Sequence, residues 1–235
     1  MLASLGASPS ARPAKSTPSI VEKLRRESLR LSQMQDIAGC RVVMADSRLQ
    51  AQFTEAARGA FRNGSVIDRL IHSSHGYRAI HIVVLEDCAV EVQVRTTLQH
   101  LWAQVSELAS DVIDPAIEYG GGPSEWKARL LVASQEISTF EDREDSLERK
   151  LQKYREVSGI ADEVRRITEA MLAESPAPDS AQRIRSHLVE IERTLVHSRD
   201  QQENAVQAVA RAREALVASV NEMIQTLMDL DRGTP

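Results

Sequence analysis

The chain has 235 residues, 42% of them hydrophobic and 3% aromatic, with a formal net charge of -5. That length suits one large or two small domains with a packed core, and the acidic balance argues against a general nucleic-acid binder. No run approaches the ~18 apolar residues needed to cross a bilayer, so no membrane span is expected.

Residues 1–14, dominated by Ala, Ser and Pro, read as a flexible start without the long apolar stretch of a secretory signal. SIVEKLRRESLRL (19–31) predicts a helix, with Ser19 as its N-cap. GCRVVMA (39–45) is a short β-branched run and predicts a strand, entered past Asp36. Residues 47–61 have the period of an amphipathic helix and end near the Asn63-Gly64 turn signal. VIDRLI, YRAIHIVVL and AVEVQVRT predict three more strands, the last two joined at Glu86-Asp87 as an antiparallel hairpin. A helix over 98–113 packs on that sheet. Cys40 and Cys88 both fall in apolar strand-like runs, which predicts two buried free thiols and a reducing cytoplasm.

The pattern changes at GGGP (120–123), which reads as a linker. Beyond it helical periodicity runs almost unbroken, giving three or four helices with breaks near Val157–Ile160 and at SPAPDS (175–180). The last stretch, from Asn204, carries an apolar stripe at i, i+3, i+4 spacing. It suits either a helical appendage on the core or an oligomerisation module.

Two stretches carry chemistry. In EVQVRT (91–96) strand alternation sends Glu91, Gln93 and Arg95 to one face and Val92 and Val94 to the other. A carboxylate, an amide and a guanidinium in a row suit a charged ligand better than a core. Asp36 and Glu91 are hard oxygen donors of the kind that hold Mg²⁺ in phosphate chemistry, although Asp36 taken alone reads more readily as a turn or helix cap. Arg41 interrupts a strand of Val and Met. Tyr77 follows Gly76, which lets a ligand approach the backbone, and its ring offers a face for stacking a base or a half-buried core contact. There is no CxxC, HExxH or phosphate-loop motif.

In their order, SIVEKLRRE, DIAGCRVV, HGYRAIH and EVQVRTTLQHLWA resemble the RelA/SpoT synthetase domain, and the small alarmone synthetases in particular, over residues 15–107. The resemblance implies an α/β (α+β) fold: a mixed sheet of four or five strands flanked by helices, nucleotidyltransferase-like, with an all-helical C-terminal extension. The expected divisions are a synthetase domain over 15–122 and a helical region over 123–235. The implied reaction moves the β,γ-pyrophosphate of ATP to the ribose 3′-hydroxyl of GDP or GTP, making (p)ppGpp in the stringent response. Asp36 and Glu91 would be the catalytic and Mg²⁺-binding carboxylates. Lys15, Ser19, Lys23 and Arg41 would bind ATP, Arg41 against the adenine. Tyr77 would stack on guanine, with His81, Gln93, Arg95 and His100 lining or bracing the GTP/GDP site.

Two positions depart from the family pattern. Arg12 stands three residues before Lys15 where relatives have Arg-x-Lys, and Ser73 replaces a lysine, with His72 or His75 near enough to substitute. No His-Asp pair occurs, so the chain is expected to make the alarmone and not to hydrolyse it. A homo-oligomer through the C-terminal helices and a cytoplasmic location are expected. Two other readings stand beside this one: a toxin-like tRNA 3′-end pyrophosphokinase, and a catalytically silent nucleotide sensor or assembly module.

Overall fold

A computed structural model of the chain describes residues 8–11, 17–28, 30–31, 34–71, 73–85, 89–173 and 178–233. The elements in order are β1 (Ser8–Ala11), α1 (Thr17–Glu27), β2 (Ala38–Met44), α2 (Ser47–Ala60), β3 (Gly64–Asp68), β4 (Ile80–Leu85), β5 (Ala89–Thr96) and α3 (Thr97–Val112). A 3₁₀ helix over Pro115–Tyr119 follows, then α4 (Ser124–Ala173) and α5 (Pro178–Gly233). The strands form one mixed sheet in the order β1-β2-β5-β4-β3. Among the described residues the β2–β5 pair is parallel and the other three pairs are antiparallel. The α/β (α+β) class, the mixed sheet with flanking helices and the helical C-terminal part are as expected.

The pleat gives the sheet two chemically different faces. Val42 and Met44 of β2, Ile80, Ile82 and Val84 of β4, and Val92 and Val94 of β5 share one face, and Phe53 and Ala57 of α2 pack on it. Burying each of the larger side chains stabilises the fold by about 1.5–3 kcal/mol. Residues of the other parity, Arg41, His81, Glu91, Gln93 and Arg95, fall on the opposite face. The α3 helix begins directly after β5. Thr96 and Gln99 close a capping box at its start, which satisfies two backbone donors there.

Several boundaries differ from the sequence expectation. The start expected to be flexible contains β1, which pairs antiparallel with β2. The first helix runs 17–27, not 19–31. Ser28, in left-handed backbone at φ 51°, ends it early. Ser19 is therefore inside the helix and not its N-cap, and its side chain lies outside the described residues. The run YRAIHIVVL becomes a strand only at Ile80. His75 (φ 54°) and Gly76 (φ 88°) break the extended chain, and the Tyr77 amide donates to the Ser74 carbonyl at 2.9 Å to close a turn. The strand expected over 66–71 ends at Asp68, whose carboxylate accepts the Leu70 amide at 2.7 Å as an Asx turn. The β4–β5 pairing is antiparallel as expected. Its turn at Glu86-Asp87 lies outside the described residues, as do Cys88, His72, Arg12 and Lys15. Cys40 is a free thiol, half-buried, and burial pushes its pKa up.

The largest difference is in the helical part. Among the described residues it is two long helices, with no break at 157–160. One glycine, Gly159, costs a helix only about 1 kcal/mol, and ion pairs between Arg165 and Asp162 and between Arg166 and Glu163 support the turns just after it. The helices do stop and restart around SPAPDS, at Ala173 and Pro178. Proline suits a first helical turn. The chain divides into two compact units, Met1–Glu141 with Leu216–Pro235, and Asp142–Ala215.

Candidate active site

The site is built on the polar face of β4 and β5. Glu91 is 7%, Gln93 6% and Arg95 3% exposed, so these three are buried in the same sense as a core. Buried polar groups are costly unless they are hydrogen-bonded, and here the neighbours satisfy one another. The Gln93 amide donates to Glu91 Oε2 at 2.9 Å. Arg95 Nη2 donates to Gln93 Oε1 at 3.1 Å and to the Tyr77 hydroxyl at 3.1 Å. The Tyr77 hydroxyl lies 2.8 Å from His81 Nε2, and His81 Nδ1 lies 2.8 Å from Glu91 Oε1. The ring of contacts closes: Tyr77, His81, Glu91, Gln93, Arg95 and back to Tyr77. One proton arrangement fits all of it. His81 Nδ1–H donates to the carboxylate, Tyr77 donates to Nε2, and Arg95 donates to the tyrosine oxygen and to Gln93.

The register explains why these groups converge. His81 is directly opposite Gln93 across β4–β5, and Val83 is opposite Glu91. Arg41 is opposite Gln93 across β2–β5, and Gly39 is opposite Glu91. A Cβ on Gly39 would come within 2.5 Å of the Glu91 carbonyl oxygen. Glycine is needed there for β2 to lie this close to the residue carrying the carboxylate. Tyr77 is not on a strand. Its ring meets Trp102 of α3 edge-on at 6.5 Å and has the Arg95 guanidinium 5.1 Å from its centroid.

Positive charge gathers on this face. Arg41, Arg95 and His100 are near enough for both arginines to depress the His100 pKa, after burial, which is the larger cause. The imidazole is therefore neutral at pH 7. Buried donors at Arg95 Nε and Nη1 and Arg78 Nε, and the ring nitrogen His100 Nδ1, have no hydrogen-bond partner among the described residues. Unmatched buried guanidinium N–H groups are uncommon and suit a planar or anionic ligand. Arg41 also lies 3.5 Å from Glu107, an exposed and weak pairing.

The expected ATP-side residues are gathered less completely. Lys15 lies outside the described residues, and Ser19 does so in its side chain. Lys23 reaches across from α1 to Asp36 at 2.9 Å, both part-buried. Asp36 precedes β2 by two residues and Gly39, the register partner of Glu91, by three. Among the described residues no three His, Cys, Asp or Glu side chains form a group able to hold a metal. The donor set still fits Mg²⁺, which binds one or two carboxylates and completes its shell with waters and substrate phosphates. A cation at Asp36 has to share the carboxylate with the Lys23 ammonium.

Sequence reasoning missed the layer behind the site. Glu141 of α4, 6% exposed, accepts from Thr96 Oγ1 at 2.6 Å and from Gln99 Nε2 at 3.0 and 3.1 Å. Gln50 of α2 donates to Gln99 Oε1 and to the Val94 carbonyl, both at 2.9 Å. Ser134 Oγ donates to the Gly76 carbonyl at 2.6 Å, and Trp102 Nε1 donates to the Leu130 carbonyl at 2.8 Å. A signal for Glu141 existed. It stands on the buried stripe Trp126, Leu130, Ala133, Ile137, Phe140, where a carboxylate is out of place.

Residues 12–110 match a family model described as "Region found in RelA / SpoT proteins". Among curated relatives, "Uncharacterized protein Rv1366" of Mycobacterium tuberculosis and "Uncharacterized protein Mb1401" of Mycobacterium bovis are each 38% identical over 126 residues, covering 51% of this chain and 46% of the relative. The chain thus spans about half the length of these relatives. Among solved structures, the small alarmone synthetase 1 from Bacillus subtilis is 28% identical, with a TM-score of 0.50, over 62% of this chain and 80% of that one.

Proposed function

Residues 12–110 being a RelA/SpoT-type domain, we propose that the protein is a GTP/GDP pyrophosphokinase that makes (p)ppGpp from ATP and GDP or GTP in the cytoplasm, as part of the stringent response. The observation that carries this reading is the closed ring of Tyr77, His81, Glu91, Gln93 and Arg95 on one sheet face. It holds a carboxylate, an aromatic face and a cation in fixed relation before any ligand arrives. Preorganisation of that kind is what pyrophosphoryl transfer needs, since most of its catalysis is positioning and charge stabilisation.

In the proposed reaction the ribose 3′-oxygen forms a bond to the β-phosphorus of ATP. The bond from that phosphorus to the α–β bridging oxygen breaks, and AMP leaves with that oxygen. The 3′-hydroxyl proton passes to Glu91, whose carboxylate is oriented by His81 Nδ1 and Gln93 Nε2. Tyr77 stacks on the guanine. Arg95 and His100 face the acceptor, and Lys15, Ser19, Lys23 and Arg41 take ATP. Asp36 and Glu91 are the residues that would hold Mg²⁺, which when bound neutralises the charge of the transferring phosphates.

No described helix is long and apolar enough to cross a membrane. A second copy of the chain is the proposed partner of the C-terminal helices. Val157, Ile160, Val164, Ile167 and Met171 recur every three or four residues on α4 and are 45–67% exposed, which is the spacing of a helix–helix seam. The test of the activity is an acceptor panel. Protein, Mg²⁺ and γ-labelled ATP are offered GDP, GTP or deacylated tRNA in parallel. Label on a guanine nucleotide at the 3′ position supports the reading. Label only on tRNA replaces it with the RNA-directed reaction, and binding of ATP without any transfer replaces it with a nucleotide sensor.

A further inference from the structure

Two side chains of α4 grip the chain immediately beside the two partners of the Tyr77–Arg95 contact. Ser134 Oγ holds the Gly76 carbonyl at 2.6 Å, in the peptide that leads into Tyr77. Glu141 holds Thr96 Oγ1 at 2.6 Å, one residue past Arg95, and Gln99, one residue before His100. The two grips are seven residues apart, two turns of one helix, and so lie on one face. Ile137 between them is 1% exposed. Gly76 is in left-handed backbone, and a Cβ there would meet Trp102 at 2.8 Å and Ser134 at 3.2 Å. The loop is therefore wedged between α3 and α4. A buried carboxylate is a costly way to fill a helix interface that an apolar side chain would fill as well.

We infer that Ser134 and Glu141 are positioning residues for the acceptor nucleotide: α4 sets the separation of Tyr77 and Arg95 by holding the backbone next to each. This rests on the reading of Tyr77 and Arg95 as the acceptor site. Neither residue touches substrate. Their effect passes through the aromatic face and the guanidinium, and so falls on the guanine nucleotide and not on ATP.

The test compares the full chain with Ser134→Ala, Ser134→Thr and Glu141→Gln. KM for GDP and for ATP are measured separately, and hydrogen–deuterium exchange is followed over residues 73–79. Ser134→Ala is expected to raise the GDP KM about tenfold, the loss of one buried hydrogen bond. The ATP KM is expected to stay within about twofold and the loop to exchange faster. Ser134→Thr, which keeps the hydroxyl, is expected to restore both values. Glu141→Gln is expected to lower kcat/KM for GDP by a similar factor, again with the ATP KM held. Equal changes for both substrates, or an unchanged GDP KM in Ser134→Ala and Glu141→Gln, would overturn the inference. A wild-type protein that transfers to no nucleotide would instead remove the functional reading. In that event the exchange measurement still decides the grip: unchanged loop protection in Ser134→Ala would sink it.

Discussion

Tyr77 shows how much hangs on single groups here. Its hydroxyl links Arg95 to His81, and its ring lies 5.1 Å from the Arg95 guanidinium. Tyr77→Phe should keep the ring and break that link, raising the guanine-nucleotide KM a few-fold. Tyr77→Ala should cost about 1–3 kcal/mol of binding, the usual worth of a stacked base. Equilibrium titration with GDP separates the two. His100 makes a prediction about pH. Burial and the two arginines lower its pKa in the folded state, so the unfolded chain binds the proton more readily. Its contribution to stability is therefore full above the ordinary histidine range, near 6.5, and is lost as pH falls from there toward the lowered folded value. Denaturation midpoints at pH 7.5 and 5.5 should differ, and by less in His100→Asn.

The β2–β5 pair is the element on which the site depends. It is a parallel pairing, and it sets Gly39 against Glu91 and Arg41 against Gln93. Gly39→Ala puts a methyl 2.5 Å from a backbone oxygen that has no side chain to swing aside. It should destabilise the protein by about 1–3 kcal/mol and reduce activity more than a matched exposed change such as Gly59→Ala, where nothing lies within 4 Å. Thermal melts alongside kcat would show this. The same strands show what a sequence reveals. Alternation in EVQVRT was enough to place Glu91, Gln93 and Arg95 on one face, because side-chain direction in a strand is local. The antiparallel return of IHIVV was equally legible. Ser28 and His75 were not. Each takes left-handed backbone that composition does not announce, and each moves an element boundary. The pairing of β1 was hidden for another reason: a four-residue edge strand has no period long enough to read.

At the scale of the molecule, the sequence separated a mixed sheet from a helical tail but misjudged the tail's continuity. Gly159 looked like a break, yet one glycine in a helix of 50 residues is a small penalty beside the turns that continue through it. Ser134 stayed invisible as a site residue because its partner lies 58 residues away in sequence, and Glu141, out of place on an apolar stripe, gave no sign of the partner 45 residues away that it holds. In the Asp142–Ala215 unit, the exposed stripe of Val157, Ile160, Val164, Ile167 and Met171 predicts a second copy as partner. Ile160→Glu with Ile167→Glu should shift the mass measured by light scattering from oligomer to monomer and leave helix content unchanged. A monomeric wild-type protein would contradict this.

In the proposed reaction the buried polar face of β4 and β5 performs pyrophosphoryl transfer, with Glu91 taking the acceptor's proton. The most direct measurement is the rate of AMP release from ATP in the presence of GDP and Mg²⁺, for wild type and for Glu91→Gln, with folding of both checked by melting. Wild type should release one AMP for each 3′-pyrophosphorylated guanine nucleotide, and Glu91→Gln should be at least about 10²-fold slower, the usual worth of a positioned general base. Undiminished AMP release by a folded Glu91→Gln protein would contradict it.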